Sequence, residues 1–394
     1  MPGAKMAATL ATLLDRAVPG QPFPVIIQFR AAARLRQALV ADLAVSYTYS
    51  LLPAMALQAS AERIGRLAQD PDIERIWLDL PVHTWLDTSV PLLGVPKVWA
   101  TGVRGKGITI AVVDTGADVT HPDLAGRVTA TQDFTGQGFS DGHGHGTHVC
   151  GIAAGSGAAS GGKYTGVAPE ATLIVAKVLK ADGGGLTSDV MAGVEWAVNQ
   201  RARIINLSLG SSGPADGSDA LSATCDAAWG RGVVVCVAAG NDGPGSGTVG
   251  SPGCARKVIT VGATDDVDAI ASFSSRGPTQ DGRQKPDICF PGVGIAAPRA
   301  TGTSMGSVVD DHYTRASGTS MATPHASGAA ALILQANPTY TPDQVKGRLM
   351  ETAKNLGLDG NTQGAGRANV AGALGLDGNG GTPAPKPGCA PALV

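Results

Sequence analysis

Gly318-Thr319-Ser320-Met321-Ala322-Thr323-Pro324-His325-Ala326-Ser327-Gly328 runs directly into the apolar stretch Ala329-Ala330-Ala331-Leu332-Ile333-Leu334 and then into Asn337-Pro338. The pattern predicts a buried helix with a serine at its mouth. Pro324 fits the first turn, where the missing N–H has no intrahelical partner, and Pro338 marks the stop. Ser320 therefore stands where unpaired backbone N–H groups and the helix dipole stabilise negative charge. Such a serine is either an N-cap or a nucleophile, and taken alone the cap is the commoner use.

A serine hydroxyl attacks only when an imidazole takes its proton and a carboxylate orients that imidazole. Both groups lie upstream. Asp114 closes the apolar run Ile108-Thr109-Ile110-Ala111-Val112-Val113 and precedes Thr115-Gly116. This puts a carboxylate at the carboxyl end of a buried strand, where open α/β sheets carry their sites. His145 lies in Asp141-Gly142-His143-Gly144-His145-Gly146-Thr147-His148-Val149-Cys150-Gly151, a glycine-rich turn entering a helix of small residues. In the order Asp, His, Ser, the three stretches resemble the signature segments of the subtilisin-like serine proteases.

The resemblance runs from about Pro91 to Leu374. It implies Asp114 as orienting carboxylate, His145 as general base and Ser320 as nucleophile. Asn241, in Ala238-Ala239-Gly240-Asn241-Asp242-Gly243, reads by itself as a turn residue after a strand. In the family pattern its amide joins the Ser320 N–H in an oxyanion hole. Gly-Thr-Ser-Met occurs twice, but the first copy, Gly302 to Met305, leads into Gly306-Ser307 and Asp310-Asp311, so Ser304 reads as non-catalytic.

A protease that reads unfolded chains needs exposed backbone donors and acceptors, which suits strand addition. The matching segments are Gly183-Gly184-Gly185-Leu186 and Ser208-Leu209-Gly210. The glycines either widen the outer subsites or form a plain turn. Ser208 to Gly210 and Ala238 to Gly240 wall the primary pocket implied by the family, with Gly250 at its base. A glycine floor without a buried acid predicts acceptance of a large apolar side chain, with Asp242 at the rim tolerating a basic one weakly.

The fold class follows from alternation. Apolar runs at Leu173 to Val178, Ile204 to Leu209, Val233 to Ala238 and Val258 to Val261 read as buried strands, with helical stretches such as Ser188 to Ala202 between them. This predicts an α/β domain over 84–374, a parallel sheet sandwiched between helices. Ahead of it, 21–83 reads β-α-β-β-α-β: Pro24 to Phe29, Ala31 to Leu43, Val45 to Ala59 broken at Pro53, Ala61 to Gln69, and Ile73 to Val82. That order is a small α+β ferredoxin-like unit. Beside a subtilisin-like domain it resembles the propeptide that assists folding and then inhibits, removed by a cut between Val82 and Ser89. An unrelated fused domain is the alternative. Residues 1–20 read as a lead-in, and the Gly- and Pro-rich 375–394 as a flexible tail.

Composition excludes several partners. The 394 residues carry a formal charge of −2 with 16% charged residues, which suits neither nucleic acid nor an acidic membrane surface. No apolar stretch approaches the roughly 18 residues of a membrane span. The 55 glycines lack a Gly-X-Y period and fit a loop-rich α/β protein. Residues 1–20 show no secretory signal pattern. Cys225 and Cys254, two of six cysteines, flank the Asn241 loop as in subtilisin-like enzymes where they pair, and such a bridge would suit an oxidising compartment. Secretion is therefore the reading for location, with the cytoplasm as alternative.

His148, His325 and His121 read as packing or turn residues, and His143 with His145 lacks a zinc framework. No cofactor is expected for catalysis. A structural calcium ion is the metal the resemblance brings, at a carboxylate such as Asp123, yet the loop Gly155 to Lys163 contains no Asp, Asn or Glu to assist it. The whole reads as a monomeric, self-processed serine endopeptidase acting on proteins and peptides. A capped peptide-binding protein without turnover and an acyl-enzyme transferase are its rivals.

Overall fold

The computed structural model describes residues 86–377 without a break and, before them, 20–30, 42–49 and 53–78, with single positions 6, 10, 14, 17, 18 and 40. The chain divides into two compact units, Met1–His83 and Thr84–Val394.

In the first unit β1 (Pro22–Phe29), β2 (Ala44–Tyr49), β3 (Ala54–Ser60) and β4 (Ile73–Leu78) form an antiparallel sheet in the order β2-β3-β1-β4. Phe23, Val25, Ile27 and Phe29 are buried at every second position of β1, the two-residue period of a strand with one face on a core. Helix α1 (Ala61–Gln69) packs its Ile64, Leu67 and Ala68 into the same core. It starts at Ser60, whose side chain accepts from the Arg63 N–H at 3.3 Å. The strand order is that of a ferredoxin-like sheet. The helix expected at Ala31 to Leu43 falls mostly on 31–39, outside the described residues, as do most of the lead-in, 79–85 and the tail beyond 377.

The second unit opens with two short helices, α2 (Leu86–Leu92) and α3 (Val95–Trp99). Its centre is a seven-stranded sheet: β5 (Thr109–Asp114), β6 (Val128–Asp133), β7 (Thr172–Lys177), β8 (Ile204–Leu207), β9 (Val234–Ala238), β10 (Ile259–Thr264) and β11 (Ile288–Pro291). The order is β11-β10-β9-β8-β5-β7-β6 and every pairing is parallel. The strands from β7 to β11 are buried almost throughout, as a sheet covered on both faces requires. Edge strand β6 is not. Helices α4 (His145–Ala154), α5 (Thr187–Asn199), α6 (Ala220–Gly230) and α7 (Thr319–Ala336) supply the cover. This is the subtilisin-like architecture expected from the sequence. A separate antiparallel sheet of β12 (Ile295–Pro298), β13 (Ser307–Val308) and β14 (Tyr313–Ala316), in the order β12-β14-β13, was not anticipated.

Helix α7 organises the packing. It is buried from Met321 to Leu334 and lies against β8, β9, β10, β11 and α4. Gly328 sets how closely it approaches: a Cβ there would stand 2.5 Å from Val167 Cβ and 3.0 Å from the Ala153 carbonyl oxygen. Neither neighbour is the free end of a flexible chain. Overpacking of this kind costs about 1–3 kcal/mol, while alanine's better helix propensity returns at most about 1 kcal/mol. Gly328→Ala is therefore expected to lower the melting temperature measured by calorimetry, and an unchanged or raised value would contradict this packing.

Candidate active site

Three elements bring the sequence-selected groups together. Asp114 is the last residue of β5 and is fully buried. Its Oδ1 accepts from the Thr115 N–H at 2.7 Å and meets His145 Nδ1 at 2.7 Å. His145 is the first residue of α4, with its side chain 18% exposed and lining the cleft. Ser320 lies in the first turn of α7 and lines the same cleft as His145 and Asn241. Its hydroxyl donates to the Ser208 carbonyl at 3.0 Å instead of to His145. Catalytic hydrogen bonds are commonly loose without substrate.

The loop that carries His145 is fixed by Asp141, a residue to which the sequence reading gave no role. Asp141 Oδ1 accepts from Thr115 Oγ1 at 2.8 Å, from the Gly144 N–H at 2.7 Å and from the His143 N–H at 3.1 Å. Its Oδ2 accepts from the N–H and hydroxyl of Thr147 at 2.8 and 2.6 Å. Thr115 Oγ1 in turn accepts from the Gly146 N–H at 2.8 Å. One buried carboxylate thus joins the end of β5 to the start of α4. Gly146 must be glycine, because a Cβ would lie 2.1 Å from the Gly116 carbonyl oxygen. Buried Lys177, paired in register with Asp114 on β7, donates to the Thr115 carbonyl at 2.6 Å and closes the arrangement from behind.

The electrostatics favour a basic imidazole. Burial pulls the His145 pKa down, but the charge and hydrogen bond of Asp114, assisted by the charge of Asp141, outweigh it, so the pKa lies above its ordinary 6.5. His148 and His325 behave oppositely. Burial lowers them to about 3 and about 4. His148 is held by the Ile295 and Thr314 carbonyls, His325 by the Met321 carbonyl and the Ser89 hydroxyl. Both are neutral packing residues, as the sequence suggested. His121 accepts from the Asp123 N–H within its turn.

Asn241 is oriented by α7. Its Oδ1 accepts from the N–H and the hydroxyl of Thr319 at 2.9 and 3.1 Å, which fixes Nδ2 as the outward donor. The Ser320 N–H is one of the leading amides that an α-helix leaves unpaired. The arrangement therefore brings a serine hydroxyl, an imidazole bonded to a buried carboxylate and two amide N–H donors to one cleft.

A cleft of about 750 Å³ extends from these groups and is lined by all ten residues selected for substrate contact: Gly183 to Leu186, Ser208 to Gly210, Ala238, Gly240 and Gly250. The glycines at 183–185 also have a structural reason, since a Cβ on Gly185 would lie 2.4 Å from the Val178 carbonyl oxygen. Leu186 beside them is exposed. The Ser208 edge is locked by a chain of hydrogen bonds from Ser327 to Asn206, from Asn206 to Ser208, and from Ser208 to the Ser320 carbonyl. The pocket also holds a carboxylate the sequence reading did not foresee. Asp219 lines it, accepting from Ser251 Oγ at 2.7 Å and Ser222 Oγ at 2.6 Å.

Two expectations need restating. No Cys225–Cys254 bridge forms: both are buried free thiols, Cys225 turned into the core from α6 and Cys254 Sγ resting 3.7 Å from Ser222 Oγ. At Asp123 the fit to calcium is poor. Its two oxygens accept from the Tyr313 hydroxyl at 2.8 Å and the Ala159 N–H at 2.9 Å, so the carboxylate is already engaged by protein donors. Ser304 is exposed in a loop and no helix follows it.

A serine, an imidazole bound to a buried carboxylate, and amide donors at a helix mouth above a parallel sheet define a serine hydrolase of the α/β kind. The model of the subtilase family matches residues 105–372. Serine protease AprX from Bacillus subtilis (strain 168) is 44% identical over 331 residues, covering 77% of this chain and 75% of that protein. Subtilisin DY from Bacillus licheniformis is 40% identical over 285 residues, covering 71% of this chain and 96% of that protein. A solved cold-adapted subtilisin-like serine proteinase superposes with a TM-score of 0.55 at 34% identity, covering 68% of this chain and 88% of that one. The chain belongs to the subtilase family and is a subtilisin-like serine endopeptidase, a class that needs no catalytic cofactor.

The His145 environment sets a measurable titration. Its imidazolium is expected to lose its proton above pH 6.5, and Asp114→Asn should move that midpoint down, because burial then acts with less opposition. Histidine NMR titration of the two forms checks this; an unmoved midpoint would contradict the assigned cause. If His145 takes up a proton during the reaction it must be neutral, and activity should then fall as pH drops through the same midpoint.

Proposed function

We propose that Ser320 is the nucleophile of this endopeptidase, with His145 as its general base, Asp114 as the group that orients and stabilises the imidazole, and Asn241 Nδ2 with the Ser320 N–H as the oxyanion donors. The observation that carries the reading is the 2.7 Å bond between buried Asp114 and His145 Nδ1, in a cleft that His145 and Asn241 share with Ser320. The Ser320 hydroxyl leaves the Ser208 carbonyl, gives its proton to His145 Nε2 and attacks the scissile carbonyl carbon. The oxyanion then faces two fixed donors, the term that usually contributes most to such catalysis. His145 returns the proton to the departing amine, and water, activated by the same imidazole, hydrolyses the acyl-enzyme.

The substrate lies extended between Gly183–Leu186 and Ser208–Gly210, so affinity comes from its backbone and protein sequence matters chiefly at the primary pocket. A large apolar residue enters that pocket, over Gly250. Asp219, kept ionised by the hydroxyls of Ser222 and Ser251, adds to Asp242 a weaker tolerance of basic side chains in the same cleft. Residues 21–83 are the propeptide of the enzyme and its intramolecular inhibitor, a reading supported by their ferredoxin-like strand order and their place ahead of the catalytic unit. The mature enzyme acts as a monomer. An extracellular site of action rests on resemblance to the subtilisins alone, since the bridge that would have added weight is absent.

Intact mass spectrometry of freshly purified protein over time tests the nucleophile and the processing together. The wild type is expected to split between Val82 and Ser89 while Ser320→Ala stays whole; splitting of both at the same bond and rate would overturn the assignment of Ser320.

A further inference from the structure

Beyond Ser320 the cleft continues into a second cavity of about 630 Å³, which shares His143, His145, Asn241 and Ser320 with the first. If the acyl part of the substrate occupies the first cavity, as proposed above, the residues that follow the scissile bond lie over the second. Its charge is opposite in kind. The first cavity is lined by Asp219 and Asp242, whereas no carboxylate lines the second, where Arg315 stands among Met305, Ser307, Ser317 and Met321.

Arg315 is half-buried, and its Nε is buried without a hydrogen-bond partner. Among the described residues it forms no ion pair, although taking a guanidinium partly out of water is costly unless an anion repays it. Its backbone cannot relax easily. Arg315 lies on the central strand β14, opposite Ala296 of β12 and Ser307 of β13. Gly306, at φ +74°, has no room for a Cβ, which would lie 2.1 Å from the Arg315 carbonyl oxygen. Met305, at the end of the first Gly-Thr-Ser-Met copy, forms part of the wall beside Arg315.

We propose that Arg315 selects substrates with an acidic side chain at the first or second position after the scissile bond. The reading rests on the assignment of the two cavities to the two sides of that bond. A planar guanidinium receives a carboxylate through parallel N–H···O bonds, and its rigid fork loses less freedom per hydrogen bond than a flexible ammonium does. The chain carries a matching sequence of its own: between Pro81 and Leu92 the single acidic residue is Asp87, inside the stretch where self-processing is proposed.

The test uses internally quenched peptides of one sequence, with a large apolar residue before the scissile bond and Glu, Gln or Lys at the first or second position after it. For each enzyme form the ratio of kcat/KM between peptides is read, so that any overall change in activity or folding cancels. The wild type is expected to prefer Glu over Gln by about tenfold, within the range of a partly solvated charge-assisted hydrogen bond. Arg315→Gln should bring the ratio close to one, and Arg315→Glu should invert it in favour of Lys, which a merely structural role would not do. Equal ratios in wild type and Arg315→Gln, with the peptides still hydrolysed, would overturn this proposal and leave the protease assignment standing. Failure of the wild type to hydrolyse any peptide would overturn both.

Discussion

The contact on which the site depends is the 2.7 Å bond between Asp114 and His145, residues 31 apart in sequence and on two different elements. A buried carboxylate and a nearly buried imidazole make a short, strong bond only if neither can move away from the other. Asp141 supplies that constraint. By accepting from Thr115 on one side and from His143, Gly144 and Thr147 on the other, it holds the end of β5 and the start of α4 as one piece. Gly116 and Gly146 then pass within a distance that no side chain would allow. The preference of His145 for its proton is a consequence of this geometry as much as of the Asp114 charge.

Helix α7 supplies the other half. Its buried length fixes the mouth of the helix relative to β8 and β9, and from that mouth come the Ser320 side chain, the Ser320 N–H and the Thr319 groups that orient Asn241. The hydrogen-bond chain from Ser327 through Asn206 and Ser208 to the Ser320 carbonyl couples the helix to the substrate edge. The hydroxyl proposed as nucleophile, the donors proposed for the oxyanion and the edge proposed for the peptide are therefore positioned by one rigid element, a preorganised arrangement.

Much of this was legible in the sequence because it lies in continuous patterns. The buried strands β5, β7, β8, β9 and β10 appear as apolar runs, and α7 as a small-residue and aliphatic run stopped by Asn337-Pro338, although Pro324 lies inside the helix and not, as the sequence suggested, in its first turn. Strand β6 was not legible, since Val128-Thr129-Ala130-Thr131-Gln132-Asp133 is the polar edge of the sheet and has no apolar period. Strand β11 is too short, β13 is shorter still, and β12 finds its partner β14 only across the intervening loop, Ile295 opposite Ala316. Asp141 was visible as a residue but not as a clamp, because its five donors become neighbours only after folding. The free state of Cys225 and Cys254 was hidden for the same reason: flanking a loop in sequence does not bring two sulfurs into bonding geometry.

If one fixed constellation serves attack and oxyanion stabilisation together, a crystal structure of the enzyme with a peptide aldehyde or boronate bound covalently should show a bond to Ser320 Oγ, His145 Nε2 turned to that oxygen, and the adduct's oxygen about 2.7–3.1 Å from both Asn241 Nδ2 and the Ser320 N–H. An adduct on another side chain, or an oxygen directed away from Asn241, would contradict it.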